Sequence, residues 1–148
     1  MRASLFFSAA LAAYAVSGAV MAAEVEVKML DKGAAGVMVF EPALVKVAPG
    51  DTVKFVPVSK GHNVEAIAGM LPEGVTPFTG KVNEAITVKF DKPGIYGFKC
   101  KPHYSMGMVG MVAVGVPVNQ DQAKAMKHPG KAGQVFATLF ANPMLASK

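Results

Sequence analysis

The chain has 148 residues, a formal net charge of +5 and one cysteine, and 52% of its residues are hydrophobic. This length is typical of one domain with its own core, and a lone cysteine excludes a disulfide framework within the chain. After Arg2 all basic residues are lysines, without the dense basic run and interleaved aromatics that are typical of nucleic-acid binding.

Residues 1–22 have the pattern of a secretory signal peptide. Arg2 precedes an apolar run from Leu5 to Val16, and small residues follow as far as Ala22 and Ala23. A basic, an apolar and a small-residue segment in this order are typical of export signals. The alternative of a membrane anchor is disfavoured because the run is shorter than the ~20 apolar residues of a span. We therefore predict cleavage after Ala22 or Ala23, export to the periplasm, and one mature domain over residues 23–148.

The first part of the predicted mature chain alternates apolar and polar residues in short segments, which indicates β-strands. Turn residues separate them, as in 48–51 and 91–94, where Pro fixes φ and Gly allows unusual φ. Several short strands at this spacing predict a β-sandwich or barrel, with the less periodic stretch 61–81 wrapping one end. The predicted strands are residues 25–30, 44–47, 52–58, 85–90, 95–100 and 108–114.

The segment after Val114 is rich in helix formers, which predicts two short helices over residues 119–127 and 131–140. Asn119 is the expected N-cap of the first helix, and His128-Pro129-Gly130 separates the two. The second helix has an apolar face that indicates packing rather than function. This face comprises Ala132, Val135, Phe136, Leu139 and Phe140.

Three potential metal ligands lie within nine residues, between two predicted strands. Cys100, His103 and Met108 have the spacing Cys-x2-His-x4-Met, and the connecting loop can bring their side chains to one point. His62, shortly after the predicted strand 52–58, can supply a fourth ligand from a loop at the same end of the sandwich. Two imidazoles, a thiolate and a weak thioether are the ligands of blue-copper electron-transfer sites. The sequence therefore predicts one copper ion, alternating between Cu(I) and Cu(II), held by these four residues.

Each of these residues also has an ordinary interpretation when it is taken alone: a turn or surface histidine, an inert buried cysteine, a core methionine. Their combination favours the metal site. Zinc is disfavoured because its structural sites normally have four Cys or His ligands and no thioether. Met106 carries a second sulfur in the loop, but the spacing and a turn at Gly107 favour Met108. We expect Met106 to join an apolar surface around His103.

The chain resembles the cupredoxins, and among them the pseudoazurins, over nearly the whole predicted mature chain. The resemblance implies a Greek-key β-sandwich of about eight strands with two short C-terminal α-helices, and it assigns copper ligation to the same four residues. It also implies a one-electron carrier and not an enzyme. The resemblance rests on residues 38–42, 46–53, 60–65, 93–97 and 99–110 and on the two-helix tail.

The resemblance further implies roles around the metal. Asn63 is expected to bind the Cys100 sulfur and to tie the two ligand loops together, and Met38 to pack against His103. The ring edge of His103, beside Pro102 and Met106, is the expected route for electrons. A ring of lysines would attract an acidic partner, although the same lysines could simply solubilise sheet edges. They are Lys32, Lys60, Lys81, Lys99 and Lys101.

The resemblance implies that the partners are denitrification enzymes such as copper nitrite reductase or nitrous oxide reductase. It also implies that this chain is a monomer. One rival interpretation is an enzyme fragment related to multicopper oxidases or nitrite reductases. It is disfavoured because the chain has three histidines, and the third, His128, lies in a predicted helix break. The other rival is a periplasmic copper carrier that delivers the metal itself. Reversible redox chemistry with the copper retained would distinguish a carrier of electrons from a carrier of copper.

Overall fold

The computed structural model describes residues 21–146, which contain eight β-strands in two four-stranded sheets and two α-helices near the C-terminal end. This arrangement confirms the predicted all-β sandwich with two short helices. The predicted signal peptide lies almost entirely outside the described residues, and its cleavage stays a prediction. Within residues 21–146 the structure contains no helix with the length and apolar character needed to span a membrane.

The first sheet has the strand order β2-β1-β4-β6. Its strands are β1 (Glu24–Gly33), β2 (Gly36–Glu41), β4 (Asp51–Pro57) and β6 (Ile86–Phe90). β1 pairs antiparallel with β2 and parallel with β4, and β4 pairs antiparallel with β6. β2 was not predicted because residues 37–40 are all apolar and so give no alternation; within the strand Met38 has a φ of 52°.

The second sheet has the strand order β3-β8-β7-β5. Its strands are β3 (Leu44–Val47), β5 (Glu65–Ala66), β7 (Gly94–Lys99) and β8 (Val109–Val114). β7 and β8 are antiparallel neighbours, so the segment between them folds back at one end of the sandwich. β5 is only two residues long, which is too short to produce a detectable alternation.

Aromatic rings from both sheets meet in the core between them. Phe40 of β2 and Phe55 of β4 each pack edge-on against Phe98 of β7, with centroids 4.9 and 5.0 Å apart. Edge-to-face pairs of this kind add to the stabilisation from burial. Cys100 and Met108 belong to the same buried cluster, so the predicted metal site lies at the end of the core.

The helices α1 (Gln120–Ala125) and α2 (Ala132–Phe140) cover the outer face of the second sheet. Phe136 and Leu139 of α2 are buried in a second cluster with Met111 of β8, which confirms the packing role predicted for this apolar face. β8 is buried on both faces, because one face meets the first sheet across the core and the helices cover the other.

Asn119 is the N-cap residue of α1, as predicted, but its side chain makes no capping hydrogen bond to the helix. Its Oδ1 accepts from the Ile95 N–H at 2.6 Å, and its Nδ2 donates to the Ile95 carbonyl at 2.9 Å. The side chain is buried and pairs with the backbone of β7 as a neighbouring strand would. Asn119 therefore attaches α1 to the sheet.

Candidate metal centre

The predicted ligands come from two loops at the same end of the sandwich. His62 follows β4, while Cys100, His103 and Met108 lie in the segment that joins β7 to β8. Cys100 and Met108 flank the ends of these strands, and the Cys100 N–H donates to the Met108 carbonyl at 3.0 Å. The register of two adjacent strands thus fixes the ends of the ligand loop.

Three donor atoms face one another at this end of the core. His62 Nδ1 lies 3.1 Å from His103 Nδ1, and Cys100 Sγ lies 3.8 Å from the His62 nitrogen and 3.5 Å from the His103 nitrogen. A triangle with these sides has a central point about 2 Å from every corner, close to the ~2.0–2.3 Å of metal bonds to imidazole and thiolate. The arrangement therefore fits one metal ion without movement of the side chains.

His62 is fully buried and is held from two sides. Its carbonyl accepts from the Asn83 N–H at 2.9 Å, and the Asn83 side chain accepts from the Gly61 N–H at 2.6 Å. On the ring, Nε2 lies 2.9 Å from Oδ1 of Asp31. With the Nε2 proton donated to this carboxylate, Nδ1 is left with a lone pair that faces the other donors.

Sequence reasoning missed Asp31. It lies in β1, 31 residues from His62, and it resembles the other charged residues on the exposed side of that strand. No local motif joins the two residues. The structural link between them is the parallel pairing of β1 with β4, which places the end of β1 beside the loop that carries His62.

Cys100 is fully buried, and its surroundings act on the thiol in opposite directions. Burial raises the pKa of the Cys100 thiol, whereas the backbone N–H groups of Asn63 and His103 lower it by hydrogen bonding. A nearby carboxylate, Glu65, raises this pKa further. Hydrogen bonding from the backbone favours the thiolate, which is the form that binds metals.

Asn63 links the two ligand loops, as expected. Its backbone N–H is one of the donors to the Cys100 sulfur. Its side-chain Oδ1 accepts from the Lys101 N–H at 2.9 Å, while Nδ2 donates to the Gly80 carbonyl at 3.1 Å. The buried amide therefore connects His62, which precedes it in the chain, to the loop that follows Cys100.

The loop after His103 forms a 3-10 helix, Tyr104–Met106, that ends at Gly107 with a φ of 91°. The Met108 N–H then returns to the His103 carbonyl at 3.2 Å, which confirms the predicted turn at Gly107. The two methionine sulfurs separate at this turn. Met108 is fully buried beside Cys100 in the core, whereas Met106 is 47% exposed.

The segment that joins α1 to α2 contacts this loop and holds it in place. Tyr104 Oη lies 2.8 Å from His128 Nδ1, and the Lys131 N–H donates to the Ser105 carbonyl at 2.9 Å. Gly130 has a φ of 53°, and a Cβ atom at this position would lie 2.2 Å from the Ser105 oxygen. We call these contacts between residues 104–105 and 128–131 the loop clamp.

His103 is the half-buried histidine of the pair. Burial lowers the pKa of its imidazole, His62 lowers it further by charge repulsion, and Asp31 opposes the change. Pro102 and Met106 are exposed on either side of it. The described contacts do not place Met38 against His103, and that expectation stays a prediction.

Four of the five lysines that were expected around this surface are exposed. Lys99 is partly buried, with Nζ 4.8 Å from the centre of the Tyr104 ring. A cation–π contact of this kind helps to fix the Tyr104 ring, and with it the start of the 3-10 helix, against β7. The exposed members are Lys32, Lys60, Lys81 and Lys101.

Comparison with known proteins assigns the family. Residues 25–115 match the family of copper binding proteins described as the plastocyanin/azurin family. A pseudoazurin of Paracoccus pantotrophus is 56% identical over 126 residues, covering 84% of this chain and 86% of the relative. The crystal structure of the Methylobacterium extorquens pseudoazurin superposes with a TM-score of 0.78 at 51% identity, covering 80% of this chain and 97% of that one.

A third pseudoazurin is similar to this chain in both sequence and fold. Native pseudoazurin from Hyphomicrobium denitrificans gives a TM-score of 0.77 at 47% identity over 80% of this chain and 96% of its own. The sequence resemblance, the sandwich and the facing donor atoms thus lead to the same assignment. The chain belongs to the copper-binding plastocyanin/azurin family and, within it, to the pseudoazurins, which are type 1 copper electron carriers and not enzymes.

Proposed function

We propose that this chain is a periplasmic electron shuttle in which His62, Cys100, His103 and Met108 hold one copper ion. We propose further that it delivers single electrons to a denitrification enzyme, such as copper nitrite reductase or nitrous oxide reductase. The leading observation is the triangle of facing donors, with sides of 3.1, 3.5 and 3.8 Å, at the end of the core. Met108, buried beside Cys100, supplies the weak fourth ligand.

The donor set favours copper over other metals. Thiolate and thioether sulfur suit Cu(I), while imidazole suits both copper oxidation states. Bound copper would supply one-electron redox chemistry between Cu(I) and Cu(II). The protein's part is to keep the ligands in one arrangement for both states, and the hydrogen bonds of Asn63, Asn83 and the loop clamp serve that purpose.

His103 is the proposed exit for electrons because it is the ligand that reaches the surface. Pro102 and Met106 give its surroundings an apolar character suited to brief contact with a partner. The exposed lysines at 32, 60, 81 and 101 would steer an acidic partner toward this surface from a distance. Such steering weakens as salt increases, so the encounter stays short-lived.

The proposed location in the periplasm rests on the signal-peptide pattern of residues 1–22. Mass spectrometry of the protein recovered from a periplasmic extract tests this directly. A mature N-terminus at Ala23 or Glu24 supports the proposal. A full-length chain retained in the cytoplasm contradicts it.

The function is tested on copper-loaded protein by visible and electron paramagnetic resonance spectra and by potentiometry in the presence of a copper chelator. We expect an intense visible band from charge transfer between thiolate and Cu(II), and repeated one-electron cycles with the copper retained. A colourless Cu(II) protein contradicts the ligand set. Loss of copper to the chelator during cycling supports a copper carrier instead.

The choice of partner is tested by the rate of electron transfer to purified copper nitrite reductase and nitrous oxide reductase at increasing salt. Lys101→Glu, beside the ligand loop, should slow the reaction and weaken its dependence on salt. Lys89→Glu is the matched control, since Lys89 is exposed and pairs with Thr52 at the opposite end of β4 from His62. Equal effects of the two substitutions on the rate would contradict docking at the surface around His103.

A further inference from the structure

Asp31 makes the one contact between an acidic side chain and the triangle of donors among residues 21–146. Its Oδ1 lies 2.9 Å from His62 Nε2, on the opposite side of the ring from the nitrogen that faces Cys100 and His103. The Asp31 side chain is 60% exposed, while the His62 side chain is fully buried. The Asp31 carboxylate is therefore in contact both with solvent and with the buried His62 ring.

Backbone contacts hold Asp31 in this position. Its N–H donates to the Ser59 hydroxyl at 3.0 Å, and the Ser59 N–H donates to the Met29 carbonyl at 3.2 Å. The end of β1 is thereby joined to the loop that carries His62. Because both ends of the contact are anchored, the distance from the carboxylate to the ring is set by the fold and not by a flexible side chain alone.

We propose that Asp31 is a positioning residue that selects the His62 tautomer and lowers the reduction potential of the copper site. The inference rests on the proposed ligand role of His62. A carboxylate that accepts the Nε2 proton leaves Nδ1 free to bind metal and makes the ring a stronger donor. Its negative charge also favours Cu(II), which carries one more positive charge than Cu(I).

The two contributions can be separated because Asn and Ala substitutions remove different parts of the contact. Asp31→Asn removes the charge but keeps an oxygen that can accept the Nε2 proton. Asp31→Ala removes both the charge and the acceptor. Asp121→Asn is the matched control, since it removes one carboxylate from α1, which lies on the outer face of the other sheet.

We expect Asp31→Asn to weaken binding of Cu(II) relative to Cu(I) about tenfold, the lower end of the range for outer partners of metal ligands. A tenfold change in a one-electron couple corresponds to a rise in potential of about 59 mV. Solvent screening at an exposed carboxylate is the reason for choosing the lower end. Asp121→Asn should leave the potential close to that of the unsubstituted protein.

The experiment combines voltammetry of the copper-loaded proteins with nitrogen-15 NMR of the His62 ring in the copper-free proteins. The unsubstituted protein and Asp31→Asn should carry the ring proton on Nε2, and Asp31→Ala should show a mixture of tautomers. Equal potentials for Asp31→Asn and Asp121→Asn would overturn the charge contribution. An unchanged tautomer in Asp31→Ala would overturn the positioning contribution.

Failure of this inference differs from failure of the proposed function. If the unsubstituted protein is blue and redox-active but Asp31→Asn behaves like the control, only the role of Asp31 is refuted. If the unsubstituted protein shows no blue copper spectrum, the ligand set itself is refuted. The tautomer measurement uses copper-free protein, so it is informative in either case.

Discussion

The two ligand loops hold their histidines in different ways. His62 is fully buried, and its backbone is fixed by Asn83 while its ring is bonded to Asp31. His103 is half-buried, and its loop is held mainly by the loop clamp, the contacts of residues 104–105 with residues 128–131. One histidine is enclosed by the sandwich, and the other is presented to solvent by the helical tail.

This difference separates two requirements of an electron carrier. A ligand sealed from water keeps the geometry of the site constant, and a ligand at the surface provides the path to a partner. Cys100 belongs to both arrangements, because its sulfur faces both rings while its backbone begins the exposed loop. Substitutions can therefore test the shared sulfur, the two histidines and the clamp in turn.

The largest effect is expected from Cys100→Ser, which removes the sulfur common to both loops. The intense visible band of the Cu(II) protein should disappear, because it arises from thiolate charge transfer. Met106→Leu is the control, since this exposed sulfur is not assigned to the metal and its loss should leave the band in place. A blue Cys100→Ser protein would contradict the assignment.

The contrast between the histidines is tested by replacing each with glycine and adding free imidazole. His103→Gly opens a gap at the surface, so added imidazole should bind there and restore most of the visible band. His62→Gly opens a gap inside the core, where imidazole should restore little colour. Absorbance titrations with imidazole measure both effects. Equal rescue of the two variants would show that the difference in burial does not control access.

The loop clamp is tested by Gly130→Ala. The new Cβ would lie 2.2 Å from the Ser105 carbonyl oxygen at a backbone φ of 53°, so the loop or the helices must shift. We expect a loss of about 1–3 kcal/mol in the free energy of unfolding, by analogy with other left-handed positions. Urea denaturation measures it.

Gly133→Ala provides the control for this change. Gly133 is the second residue of α2, and the nearest atom to a new Cβ is 3.9 Å away. Because alanine is a better helix former than glycine, Gly133→Ala should leave the free energy of unfolding unchanged or slightly higher. Gly115→Ala isolates the backbone strain, since Gly115 has the same φ of 53° but the nearest atom to a new Cβ is 3.6 Å away. If the clamp does not constrain the ligand loop, Gly130→Ala should lower the free energy of unfolding no more than Gly115→Ala.

The smallest effect is expected from the pH dependence of His128 in the copper-free protein. Burial lowers the pKa of the His128 imidazole below its ordinary value of 6.5. The unfolded chain therefore binds a proton first as the pH falls, so the free energy of unfolding decreases below about pH 6.5. His103, whose pKa is also lowered, acts in the same direction.

His128→Asn should make this decrease less steep, while the contribution of His103 remains. Asparagine can still accept a hydrogen bond from Tyr104, so the contact itself is largely conserved. Urea denaturation at several values between pH 5 and 7.5 measures the slope. A variant whose curve runs parallel to that of the unsubstituted protein would show that His128 does not contribute.

Much of the fold could be predicted from local pattern. Six strands and both helices leave clear periodicities, and the spacing from Cys100 to Met108 is short enough for one loop to explain it. Cys100 and His103 lie close together as expected because antiparallel β7 and β8 must turn at that end, and His62 meets them because its loop follows β4 at the same end. Apart from the contact of His62 with the other loop, these features depend on residues close together in the sequence.

The remainder depends on contacts between distant segments. Asp31 faces His62 only because β1 pairs in parallel with β4, and parallel pairing leaves no local signal. Asparagine is a common helix-capping residue, yet the Asn119 side chain bonds the backbone of Ile95 in β7, 24 residues earlier in the chain. The burial of β8 on both faces likewise requires knowing where the helices pack.

The parallel pairing of β1 with β4 also gives the domain a polarity. Residue 24 is paired with residue 52, and the Ala23 N–H bonds to Asp51, whereas His62 lies beyond the other end of β4. Seven residues of strand separate these ends by about 20 Å. A tether attached at residue 23 should therefore anchor the domain to an electrode with its redox face turned outward.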